Sequence, residues 1–147
     1  DGLLELERAK AEGLSDFETA LGQIAQRVYK RYLVVVLCDL LDASDEGLRI
    51  IQQIKKRGAD VVLFLILDGD EIDFPFRELA RFEGMEDERF ALAEPDAVRA
   101  AYKDEIKKFI AAARSKCNES GVDFVLADTR DSFDRTLLPA LRMRMKR

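Results

Sequence analysis

Two stretches of the chain run apolar without interruption. Tyr32 to Cys38 reads Tyr-Leu-Val-Val-Val-Leu-Cys and passes into Asp39-Leu40-Leu41-Asp42. Val61 to Leu67 reads Val-Val-Leu-Phe-Leu-Ile-Leu and breaks at Asp68-Gly69-Asp70. Continuous runs of this length predict strands buried on both faces, the usual state in a parallel sheet covered by helices. Val122–Ala127 predicts a third strand. Between the runs the apolar period changes to that of a helix. Phe17, Leu21, Ile24 and Val28 predict a helix from about Asp16 to Lys30, opened by a capping-box pattern at Ser15-Asp16-Phe17-Glu18. Leu48, Ile51 and Ile54 predict a second helix, capped by Ser44 or Asp45 and closed by Lys55-Lys56-Arg57-Gly58. Val98, Tyr102, Ile106, Phe109, Ile110 and Ala113 predict a long helix entered at Pro95 and stopped before Gly121.

The weaker patterns fill the gaps. Leu3, Leu4, Leu6 and Ala9 predict a short amphipathic helix ending near Gly13. Glu71 to Glu94 reads as irregular, with a small hairpin pairing Arg81–Glu83 with Arg89–Ala93 around Glu86-Asp87. Asp128-Thr129-Arg130-Asp131 reads as a loop, and Ser132 as a cap for a last helix that Pro139 must kink or restart. Strands alternating with helices predict an α/β domain of three layers, with a parallel Rossmann-like sheet, right-handed crossovers and a small hairpin insertion. One domain spans residues 1–147, and Asp1 opens directly inside a helical pattern, as expected of part of a longer polypeptide.

Composition narrows the function. A net charge of −5 argues against non-specific nucleic-acid binding, which needs a basic surface. No apolar run approaches the ~20 residues of a membrane span, so no membrane contact is expected of this segment. Two cysteines, Cys38 and Cys117, are too few for a disulfide framework and fit a cytoplasmic compartment; both read as inert core thiols. Histidine is absent, which removes His-based nucleophilic triads and His-ligated zinc. No glycine-rich phosphate loop is present.

The candidate chemistry lies at the strand ends. Asp39, Asp68 and Asp128 each end a strand, and in a parallel sheet those ends share one rim, where ligands bind. Clustered carboxylates there could hold Mg²⁺, although Asp also ends strands simply because it turns the chain and caps the next helix. Asp39 could instead be a phosphoacceptor, since receiver domains and haloacid-dehalogenase-type phosphatases place an Asp after a hydrophobic strand. The phosphatases want a second Asp two residues on, where this chain has Leu41.

Leu37-Cys38-Asp39-Leu40-Leu41-Asp42, the run from Lys55 to Asp68, and Glu71-Ile72-Asp73-Phe74-Pro75-Phe76 together resemble the C-terminal part of a von Willebrand factor A-like domain. The resemblance is to the bacterial proteins of that kind that accompany MoxR-type AAA+ ATPases. Val98 to Tyr102 and Gly121 to Phe124 extend it, so that it covers the chain from about Gly13 onward. It implies a doubly wound sheet with a metal-ion-dependent adhesion site, built from an Asp-x-Ser-x-Ser strand, a Thr and a later Asp. By position, Asp39 matches the last Asp and Ser15 the Thr, while the Asp-x-Ser-x-Ser strand would lie upstream of Asp1. The domain would therefore be truncated at its N-terminus and its metal site partial.

Several expectations follow. One carboxylate and one hydroxyl make a poor octahedral cage, so Mg²⁺ binds this chain weakly or not at all, though it can bind the full-length domain. The implied function is a non-catalytic protein-interaction module, with Asp39, Asp42, Asp68 and Asp70 on the contact rim. Its partner would be a MoxR-type ATPase or the client that ATPase remodels. An Asp39-dependent phosphotransfer enzyme is the alternative, and a structural remnant with neither role a third. Tyr32–Cys38 would lie on an open sheet edge and could pair with a second copy. Any membrane anchor of the full-length protein would precede Asp1.

Overall fold

The computed structural model describes residues 16–28, 32–39, 44–75, 80–83, 90–93 and 95–145. In chain order these form α1 (Phe17–Arg27), β1 (Leu33–Cys38), α2 (Asp45–Lys56), β2 (Asp60–Leu67) and α3 (Gly69–Asp73). They continue with β3 (Ala80–Glu83), β4 (Phe90–Ala93), α4 (Pro95–Ser120), β5 (Asp123–Asp128) and α5 (Phe133–Met145). The expected short helix around Leu3–Ala9 and the turn at Glu86-Asp87 lie outside the described residues.

The fold is α/β, with a parallel three-stranded sheet in the order β1-β2-β5 and helices on both faces. Cys38 is level with Leu65, and Leu67 with Asp128. The hairpin forms a separate antiparallel pair, with Ala80 opposite Ala93 and Glu83 opposite Phe90. Its second strand starts at Phe90, one residue later than the pattern suggests.

Alternation along each strand sorts the side chains into two layers. On one face Val36, Leu63, Leu65 and Phe124 pack with Leu21 and Ala25 of α1, Leu48, Ile51 and Ile54 of α2, and Ala113 and Cys117 of α4. That layer is the main core. The opposite face holds Val62, Phe64, Ile66 and Val125, covered by Ala140 of α5. Among the described residues of this sheet, β2 is the strand buried nearly throughout, because it has a neighbour on each side and helices over both faces.

Here the structure corrects the expectation for β1. Its inward residues Val36 and Cys38 are buried, but Leu33, Val35 and Leu37 are 53%, 51% and 63% exposed. The continuous apolar run reflects two faces that could both be covered, of which the described residues cover one.

The helix ends have local causes. Asp16, not Ser15, caps α1: its carboxylate accepts the Thr19 N–H at 2.9 Å and the Thr19 hydroxyl at 2.6 Å. Glu18, freed from the expected capping box, accepts the Ser44 hydroxyl at 2.7 Å, tying the start of α1 to that of α2. Ser44 caps α2 by accepting the Gly47 N–H. The α2 exit turns through Gly58 at φ 94°, a conformation glycine reaches without a Cβ clash. Two further expectations shift. α1 ends at Arg27, with Val28 extended, short of Lys30. α5 is continuous through Pro139, which removes one backbone hydrogen bond without making the helix restart.

Candidate functional site at the strand ends

β2 leads straight into a five-residue helix, and the residues that shape this turn form the centre of the rim. Asp68 caps α3: its carboxylate accepts the Asp70 N–H at 2.9 Å, and Glu71 reaches back to accept the Asp68 N–H at 2.6 Å. The second oxygen of Asp68 accepts the Thr129 hydroxyl from the end of β5 at 2.8 Å. The Asp70 N–H and the Thr129 hydroxyl together hold the Asp68 carboxyl below the usual carboxylate range.

Asp128 ends β5 and is clasped by Arg130, whose Nε and Nη2 both donate to it. The same guanidinium donates from Nη1 to Asp73, the last residue of α3, at 2.6 Å. Lys103 of α4 stands 3.8 Å from Asp73 on its other oxygen. Arg130 lowers the carboxyl pKa of both Asp128 and Asp73, and the two carboxylates raise that of Arg130. The chain can bring Arg130 so close only because residue 69 is glycine. A Cβ there would run into Nε, Cδ and Cζ of Arg130.

The segment Glu71–Phe76 thereby acquires a structural explanation from Glu71 to Phe74. Glu71 completes the capping box, Ile72 packs against the main core, and Asp73 takes Arg130. Phe74 ends α3 in the left-handed conformation at φ 46°, which a non-glycine residue adopts at a cost. Burial of its ring against Tyr102, centroids 4.7 Å apart, offsets that cost. Burial and the nearby Glu71 in turn raise the Tyr102 hydroxyl pKa.

The expected rim residues are therefore not equivalent. Asp68 caps α3 and Asp70 lies in its first turn, exposed. Asp39 is exposed one residue beyond β1. The register makes Asp39 level with Ile66, two residues short of Asp68, so their backbones lie about 8 Å apart from strand rise and spacing. Ser15 and Asp42 lie outside the described residues. Asp68 is engaged as a cap and Asp128 is neutralised by Arg130, and among the described residues no group of three His, Cys, Asp or Glu side chains could hold a metal ion. The described donors do not fit an octahedral Mg²⁺ site.

Sequence reasoning missed α3, Thr129 and Arg130. The first had a signal, since Asp68 followed by Glu71 is the spacing of an N-cap with its partner. The other two had none, because their roles depend on β5 lying beside β2.

A second feature borders this rim. An apolar groove of about 480 Å³ runs between the outer face of β1 and α5, lined by Val35, Leu37, Phe64, Ile66, Phe133 and Leu137. Asp128, Thr129 and Asp131 also line it. Among the described residues no helix is long and apolar enough to cross a membrane. Cys117 is buried in the main core, and burial pushes its thiol pKa up to about 11, as befits an inert thiol. The chain matches no family model, no curated protein and no solved structure.

Proposed function

We propose that this chain is the C-terminal part of a von Willebrand factor A-like domain and works as a non-catalytic protein-interaction module. Its partner would be a MoxR-type AAA+ ATPase or the client of one. The observation that carries the reading is topological. Three consecutive parallel strands stand in the order β1-β2-β5, and Asp39 follows the strand whose far side has no neighbour among the described residues. The helices α2 and α4, which connect strands advancing one way, pack on one face. A doubly wound sheet that continued past β1 in the other direction would need its crossover helix on the opposite face, by the right-handed rule. That is the face where the groove beside α5 runs. An Asp-x-Ser-x-Ser strand, on this reading, belongs beside β1, outside this chain.

The chain's own contribution is then a rim of carboxylates. Asp39 and Asp70 are exposed, while Asp68 is fixed by its cap. Such a rim meets basic side chains of a partner and speeds encounter more than it tightens the complex, so binding weakens with salt. Mg²⁺ would need ligands that the described residues do not supply.

Surface plasmon resonance of the chain against a purified MoxR-type ATPase tests the reading. Saturable, salt-sensitive binding is expected, weakened by Asp39→Ala and Asp70→Asn at unchanged circular dichroism. Acetyl phosphate should leave the mass of the chain unchanged, and calorimetric titration with Mg²⁺ should give no saturable low-micromolar binding. No binding, or binding indifferent to Asp39→Ala, overturns the module. A phosphoryl adduct lost in Asp39→Ala establishes phosphotransfer instead.

A further inference from the structure

We draw no further inference here: the strongest candidate, the apolar groove between the outer face of β1 and α5 lined by Val35, Leu37, Phe133 and Leu137, carries nothing because nothing in the structure shows what covers it.

Discussion

Leu37 and Leu65 are both leucines in long apolar runs, and nothing in their local sequence separates them. The structure does: Leu65 is 0% exposed in the central strand, while Leu37 is 63% exposed on the outer face of β1. Truncating each to alanine therefore measures how far each side of the sheet is covered. At Leu65 the neighbouring strands fix the backbone, with Cys38 and Leu126 on either side, so the cavity collapses little. Leu65→Ala should cost about 3–5 kcal/mol, the upper part of the range for buried leucines. Complete burial of a leucine is worth about 1.5–3 kcal/mol, and only about a third of Leu37 is buried, so Leu37→Ala should cost about 0.5–1 kcal/mol.

Urea unfolding followed by circular dichroism, at dilutions where the chain sediments as a monomer, reads both values from the shift in midpoint at unchanged slope. Working dilute matters, because a dimer would add a concentration-dependent stability to Leu37 that has nothing to do with the monomer. If the two substitutions cost the same in the monomer, the outer face of β1 is covered, and the open groove beside α5 fails with it.

Two further predictions address the rim and the core. Gly69→Ala should drive Arg130 out of its position, so that NMR titration finds the Asp128 and Asp73 carboxyls moved up toward the ordinary value of about 3.9, while Asp68 keeps its lowered value. These folded-state values are depressed, so the stabilisation they carry is present above the unfolded value and lost as pH falls through the folded ones. Gly69→Ala should accordingly flatten the acid limb of the stability profile, and an unchanged limb would show that Arg130 stabilises neither carboxylate. Cys117 should resist iodoacetamide in the native chain at neutral pH and react on unfolding, since burial raises its pKa from 9.0 to about 11. With a raised folded value the sign reverses: this contribution is present below about pH 9 and is lost as pH rises toward 11.

The order of helices and strands was legible in the chain because apolar period is a local property. Val61–Leu67 and Val122–Ala127 located two of the strands to within one residue at either end, the weak Arg81–Ala93 pattern gave the hairpin, and Pro95 marked the first residue of α4. Asp at the end of each strand was equally plain. What each Asp does was not, because its partner comes from elsewhere: Thr129 and Arg130 reach Asp68 and Asp73 only once β5 has paired with β2. Gly69 likewise reads as a breaker in sequence and becomes the floor under a guanidinium in space. The difference between β1 and β2 lies deepest. A run of Val and Leu records that both faces of a strand can be buried, whereas burial itself depends on which elements pack across it. By itself the sequence determined where the strands and the longer helices lie; tertiary structure decided that β2 is the centre, that the described residues cover only one face of β1, and that Asp68 and Asp128 hold the rim together.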